Sequence, residues 1–338
     1  MLSKLGSRYA VRPASLEDAA DYTTLANAWA LDREGVAIHD PDETKAEWQA
    51  PGLNLETDTR LVHDPDGRLV ASAVVWDTSE PHVRTGGHFR VLPGCEDPAL
   101  DEALLGWVEE RAREAIPKAP ADARVTLSSG AFSRDEARKR LLASHGFEMV
   151  RHFWRLRVEM EEAPSVLDLP DGISIRTVDP AVDIEAIAET VRDAFRDHWG
   201  FVEGDHAEDV AEWRHWVEGD PTFDPTTWFL ACRGDEVIGV SIGTAKRPES
   251  DEMAYIFVLA VHPEWRGRGI ARALLTHSFA VFYNCGKTMV DLDADSANLT
   301  GAIRLYEGVG MRPVWQNDSY EKELRPGIDL QQRGPQAD

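Results

Sequence analysis

Between Val261 and Leu275 the chain reads Val-His-Pro-Glu-Trp-Arg-Gly-Arg-Gly-Ile-Ala-Arg-Ala-Leu-Leu, a set of residue types that can hold an anion. Gly267 and Gly269 leave backbone N–H groups approachable, and Arg266, Arg268 and Arg272 bring positive charge. A helix starting there adds the positive end of its dipole, so the chemistry indicated is capture of a phosphate or pyrophosphate. Two familiar phosphate loops are excluded: GxxxxGK[ST] does not occur, and RGRGIA is not GxGxxG and has no matching acidic residue about 20 positions on. A tight strand-to-helix turn with solvated arginines would use the same glycines.

The elements that must position this segment follow from periodicity. A strand ends at Pro263, and a helix from Gly269 to Tyr283 turns Ala271, Leu274 and Leu275 inward. Before it, Ile173 to Arg176 alternates apolar and polar, and Asp183 to Phe195 carries Ile184, Ile187, Ala188, Val191 and Phe195 at helical spacing. Thr227 to Cys232, Glu236 to Gly243 and Met253 to Val261 read as strands, the first two joined through Gly234-Asp235. The strand Thr288 to Leu292 and a helix from Asn298 to Gly308 complete the pattern, which predicts an α/β fold with a mixed sheet.

Segments recur at an offset of about 164 to 170 residues, the signature of a duplicated domain rather than a solenoid. Arg12 answers Arg176, Val91-Leu-Pro93 answers Val261-His-Pro263, Leu104-Leu105 answers Leu274-Leu275, and Gly146-Phe147 answers Gly310-Met311. The acidic, Pro-containing stretch Glu159 to Asp171 interrupts both halves, so the expected domains are residues 1–164 and 165–338.

The length of 338 residues suits two domains, and 43% hydrophobic residues suffice for two cores. With 36 Lys and Arg against 60 Asp and Glu, the net charge of -24 has the wrong sign for nucleic acid or anionic membrane, and neither is expected as a partner. Cys95, Cys232 and Cys285 are far apart and odd in number, as in a reducing compartment. His206 and His215 have no partner pair, and no metal site is expected. The opening residues lack the apolar core, about 7 to 15 residues, of an export signal, and a cytoplasmic location is expected. The sequence leaves the oligomeric state open.

Arg266-x-x-Gly269-x-Ala271, after Val261-x-Pro263, resembles the acetyl-CoA pyrophosphate loop of the GNAT superfamily of N-acetyltransferases, and Asn298 to Met311 resembles that family's following block. Two motifs in order, about 30 residues apart, are far more specific than one. The resemblance covers nearly all of 172–325 and, more weakly, 8–160. Two such halves are similar to the tandem acetyltransferases of the mycothiol synthase type. The fold implied is two tandem GNAT-like domains, each a mixed, mostly antiparallel sheet flanked by helices.

The resemblance implies direct transfer of acetyl from acetyl-CoA to the amine of a small molecule. Leu259, Ala260 and Val261 would hydrogen-bond the pantetheine arm and polarise the thioester. Arg266, Gly267, Arg268, Gly269, Ile270, Ala271 and Arg272 would hold the pyrophosphate. Asn298 would contact the arm or cap the helix, and Tyr306 would be the general acid. Mycothiol synthase-like proteins carry a glutamate base where this sequence has Tyr255, which leaves Glu252 as the nearest carboxylate. The stretch Phe195 to Glu203, with His198, Trp199 and Glu203, is the expected acceptor loop, with Tyr255 beside it; an aromatic cluster packed on the sheet would have the same composition. In the first half Glu96, Asp97, Pro98 and Ala99 stand opposite Arg266 to Gly269, Leu142 opposite Tyr306 and Arg134 opposite Asn298, so that half is expected to be structural. The alternatives are mycothiol synthase proper and a non-catalytic acyl-CoA-binding protein.

Overall fold

A computed structural model describes residues 2, 5, 8–165, 167, 169–220, 223–297 and 301–333. In chain order the elements begin β1 (Ala10–Arg12), α1 (Ala19–Glu34), α2 (Pro41–Trp48), α3 (Leu55–Asp58), β2 (Thr59–His63), β3 (Leu69–Trp76), β4 (Arg84–Val91), α4 (Pro98–Ala112), β5 (Val125–Phe132), α5 (Glu136–Ser144) and β6 (Glu148–Glu159). They continue β7 (Ile173–Thr177), α6 (Ile184–Phe195), α7 (His206–Gly219), β8 (Trp228–Arg233), β9 (Glu236–Thr244), β10 (Met253–Val261), α8 (Ile270–Asn284), β11 (Met289–Asp295), α9 (Ala302–Gly308) and β12 (Arg312–Arg325).

The chain packs as two units. One comprises Met1–Arg151 and Asn317–Leu330, the other His152–Gln316 and Gln331–Asp338. In the first the strand order is β1-β2-β3-β4-β5-β12, antiparallel throughout except for the parallel pair β4/β5. In the second it is β7-β8-β9-β10-β11-β6, again with one parallel pair, β10/β11. Each is thus the mixed, mostly antiparallel sheet that the family resemblance implies. The repeated arginines also do the same work, since Arg12 grips Asp18 and Arg176 grips Asp183, each bidentately before a first helix.

The units are not the contiguous halves 1–164 and 165–338. β6, which precedes that cut, closes the second unit by pairing with β11 from Phe153↔Asp295 to Glu159↔Met289. β12 closes the first unit by pairing with β5 from Asn317↔Phe132 to Arg325↔Val125. Alternation identifies a strand but not its neighbour, so this exchange is silent in the periodicity.

In the second unit both faces of the sheet are covered. Leu156, Val158, Ala254, Ile256, Val290 and Leu292 pack with Leu275, Phe279 and Phe282 of α8. On the other face Leu230, Val240, Ile242 and Ala260 pack with Ile184, Ile187 and Ala194 of α6, whose spacing sets them on one stripe.

Candidate active site

In the second unit β10 and β11 run side by side only from Met253↔Met289 to Ile256↔Leu292. Beyond that, β10 keeps its ladder with β9 alone, and the register slips between Ile256 and Val258, making Phe257 the extra residue of a bulge. The two strands therefore splay from Phe257 onward. Along this gap the β10 edge, including Leu259, Ala260 and Val261, presents backbone groups with no ladder partner among the described residues. An extended chain with amide groups, such as a pantetheine arm, matches such an edge.

At the end of this edge the predicted anion loop takes shape. Gly267 and Gly269 have φ of +73° and +82°, in the left-handed region, and the space over both is open. Gly269 is the N-cap of α8, and the first intrahelical bond runs from the Ala273 N–H to the Gly269 C=O. The N–H groups of Ile270, Ala271 and Arg272 thus precede the ladder and point out of the helix start. Arg268 lies exposed with its guanidinium 4.6 Å from the Trp265 ring, and the exposed Arg272 donates to the Gly308 C=O at 3.2 Å. This donor set fits a pyrophosphate.

Arg266 does something else. Its guanidinium donates to both Asp197 oxygens, at 2.5 and 3.1 Å, and to the Ala194 C=O at 2.6 Å, tying the loop to the C-terminal end of α6. The Arg266 hydrogen bond holds the Asp197 carboxyl below its ordinary pKa.

Tyr306 on α9 is buried, and burial pushes its phenol up to about 12. It is therefore a neutral hydroxyl at any physiological pH, available as a donor. Asn298 lies outside the described residues. Glu252 is exposed in the turn before β10, its C=O accepting from the Met289 N–H at 3.0 Å. Five residues before the bulge, at about 3.3 Å each, put it roughly 16 Å from Phe257. The structure does not bring Glu252 to the gap.

Of the acceptor-loop residues, His198 sits edge-on to Phe195 with ring centroids 4.4 Å apart, and burial lowers its pKa, with Asp197, Arg266 and Asp295 also acting on the ring. Its Nε2 lies 3.9 Å from Asp197, the partner of Arg266 in the anion loop. Trp199 faces Arg333, 5.6 Å from its ring, and Glu203 is exposed between Arg192 and Arg196 at 3.6 and 3.4 Å. The loop is pinned by Gln332, whose C=O accepts from Gly200 at 2.7 Å and whose N–H donates to Phe201 at 2.8 Å.

Tyr255 turns to a charged group at the start of the splay. Its hydroxyl donates to Asp293 Oδ2 at 2.9 Å, and its ring lies between the guanidinium groups of Arg155 and Arg247, 4.7 and 4.8 Å away. Arg155 donates bidentately to Asp293 at 2.6 and 3.0 Å, and Arg157 to Asp291 at 2.7 and 2.9 Å. Desolvation and the Asp293 charge raise the Tyr255 pKa. Sequence reasoning missed Asp197, Asp293 and Arg155, although Asp-Leu-Asp-Ala-Asp and Arg-Leu-Arg carry a period-2 signal for one charged face.

The first unit has the same splay, its parallel ladder ending at Gly86↔Ser128, but different contents. Arg138 bridges the diverging strands, with its guanidinium 3.7 Å from the Phe89 ring and 3.4 Å from Ser129 Oγ. Burial lowers it to about 10. At the loop, Glu96 folds back on the Gly94 N–H at 2.8 Å, and Asp97, the N-cap of α4, accepts the Ala99 N–H at 2.9 Å, so a carboxylate of the chain itself takes an amide of the helix start.

Residues 185–311 match the model of the Acetyltransferase (GNAT) family. A mycothiol acetyltransferase of Thermobispora bispora is 32% identical over 253 residues, 72% of this chain and 77% of that protein. The crystal structure of a GCN5-related N-acetyltransferase from Sphaerobacter thermophilus superposes with a TM-score of 0.76 at 30% identity, covering 96% of this chain and 98% of that one. A tandem GNAT protein from the clavulanic acid biosynthesis pathway shares the fold, with a TM-score of 0.70 at 15% identity over 94% and 99% of the two chains.

Proposed function

The chain belongs to the GNAT acetyltransferase family and is an acetyl-CoA-dependent N-acetyltransferase; from that premise we propose that it acetylates the amine of a small molecule at one site per chain, in the second unit. The observation that carries this is the conjunction of a splayed β10 edge with an open, glycine-turned helix N-terminus at its end. Bound acetyl-CoA would supply the acetyl group as a thioester; the ammonium first loses a proton to solvent, the neutral amine attacks the carbonyl carbon, and the C–S bond breaks as the amine's second proton passes by way of solvent to the CoA thiol.

The residues of the chain have distinct tasks. The amides of Ile270, Ala271 and Arg272, with Arg268 and Arg272 beside them, bind the pyrophosphate. Arg266 positions that loop through Asp197 and does not itself reach for the phosphate. The β10 edge at Leu259 to Val261 orients the arm and polarises the thioester carbonyl. Tyr306 holds a proton at its hydroxyl and, with a pKa near 12, serves as a hydrogen-bond donor toward the departing sulfur. The loop bearing His198 and Trp199 walls the acceptor side.

The first unit is structural in this reading. Arg138 fills the place of the arm, and Asp97 takes an amide of the helix start. A second reading, acetylation of the cysteinyl amine of the mycothiol precursor, draws support from the relative's name, while Tyr255 in place of the strand glutamate weighs against it. Steady-state thiol release from acetyl-CoA with a panel of amines, that precursor included, tests both. Turnover with some amine is expected, and tight acetyl-CoA binding without any turnover would favour an acyl-CoA-binding protein.

A further inference from the structure

We propose that Asp293 and Phe257 form the subsite for the ammonium group of the acceptor, and that the acceptor carries an apolar or aromatic group next to that charge. The proposal deepens the reading above, since it rests on the splay being the place of transfer. In the parallel register Tyr255 stands beside Asp291 and Ile256 beside Leu292, so Phe257 and Asp293 are the first residues past the ladder, where the strands part. The Tyr255 hydroxyl reaches Asp293, which puts both on one sheet face.

Both members are accessible. The Asp293 side chain is 40% exposed and Phe257 54% exposed. Phe257, on the bulge of β10, packs edge-to-face on the Tyr255 ring with centroids 5.0 Å apart and is otherwise open to solvent, so its outer ring face can take a cation within about 6 Å. Asp293 accepts three hydrogen bonds, two from Arg155 and one from Tyr255. An ionised carboxylate offers about four lone-pair sites, so one remains for an ammonium N–H. Arg155 cannot turn to fill it, because the guanidinium is held between the Tyr255 and Trp315 rings at 4.7 Å from each.

The neighbouring carboxylates Asp291 and Glu249 are ruled out by burial. Asp291 is 1% exposed against Arg157, and the Glu249 side chain is 3% exposed, with one oxygen on Arg247 at 2.5 Å and the other without a hydrogen-bond partner among the described residues. Glu203 projects into solvent beside two arginines. Asp293 therefore supplies at the strand next to Tyr255 the negative charge that Tyr255 lacks.

The test is calorimetric titration of benzylammonium chloride, with benzyl alcohol as the uncharged probe of like shape, into the full chain with and without bound CoA. The ammonium is expected to bind at least about tenfold tighter than the alcohol. Asp293→Asn should remove that difference, Asp293→Glu should keep part of it, and Phe257→Ala should weaken the ammonium severalfold. Unchanged CoA affinity in each variant reports an intact fold. No ammonium binding, equal binding of the two probes, or an unchanged preference in Asp293→Asn would overturn the proposal. Loss of CoA binding by the wild-type chain would instead contradict the cofactor reading, and the CoA-free titration would still decide the subsite.

Discussion

Arg157 and Asp291 stand directly opposite one another across β6 and β11, joined by two hydrogen bonds of 2.7 and 2.9 Å, with Asp291 1% exposed. β6 comes from before residue 165 in the chain, yet it completes the sheet that carries the proposed transfer site. A fragment of residues 165–338 lacks that strand, and with it Leu156 and Val158 of the core. It should be insoluble or show no cooperative unfolding by circular dichroism, and a stable, active fragment would contradict the strand exchange. Within the full chain, Asp291→Ala leaves the half-buried Arg157 guanidinium without its carboxylate and should lower unfolding stability by about 1–2 kcal/mol in a denaturant titration.

Much of this site is legible in the residues themselves. The loop from Arg266 to Arg272 is local, and its glycines, its charge and the start of α8 all lie within one stretch of chain. Strands and helices of the second half follow their periods closely, as at Met253 to Val261, where the expected and observed strands coincide. What periodicity does not encode is partnership. Asp293 and Arg155 are 138 residues apart, and only the register of β6 on β11 puts them opposite. Arg266 looked like a phosphate ligand because its charge is visible in sequence and its partner Asp197, 69 residues away, is not.

Asp197→Ala should loosen the anion loop without touching it. The pair is partly exposed and screened by solvent, so the expected loss is about 1 kcal/mol or less, roughly up to fivefold in the Kd of acetyl-CoA. Because Arg266 depresses the Asp197 pKa, the contribution of the pair is present above the ordinary carboxylate range and is lost as pH falls through the depressed value. Acetyl-CoA affinity that declines on acidification in the wild type but less in Asp197→Ala would bear this out. An unchanged Kd in the variant would count against a positioning role for Arg266.

Tyr306→Phe removes one hydroxyl from a buried site and should leave acetyl-CoA affinity nearly unchanged while lowering kcat by about 10² or more. With the phenol near 12, Tyr306 stays protonated through neutral and mildly alkaline pH, so it should contribute no alkaline limb to the rate profile below about pH 11. Pre-steady-state thiol release separates this from a binding defect, and a wild-type kcat in the variant would remove Tyr306 from the chemistry.

The most direct test is calorimetric titration of acetyl-CoA into the wild-type chain and into Gly269→Glu, with stoichiometry recorded beside affinity. The substitution places a carboxylate at a left-handed helix N-cap, against both the backbone conformation and the ligand charge. One site per chain, abolished by Gly269→Glu, is the predicted result. Two sites would mean that the first unit binds acetyl-CoA despite Arg138, Glu96 and Asp97, and binding that survives Gly269→Glu would contradict the assignment of the site to the loop between β10 and α8.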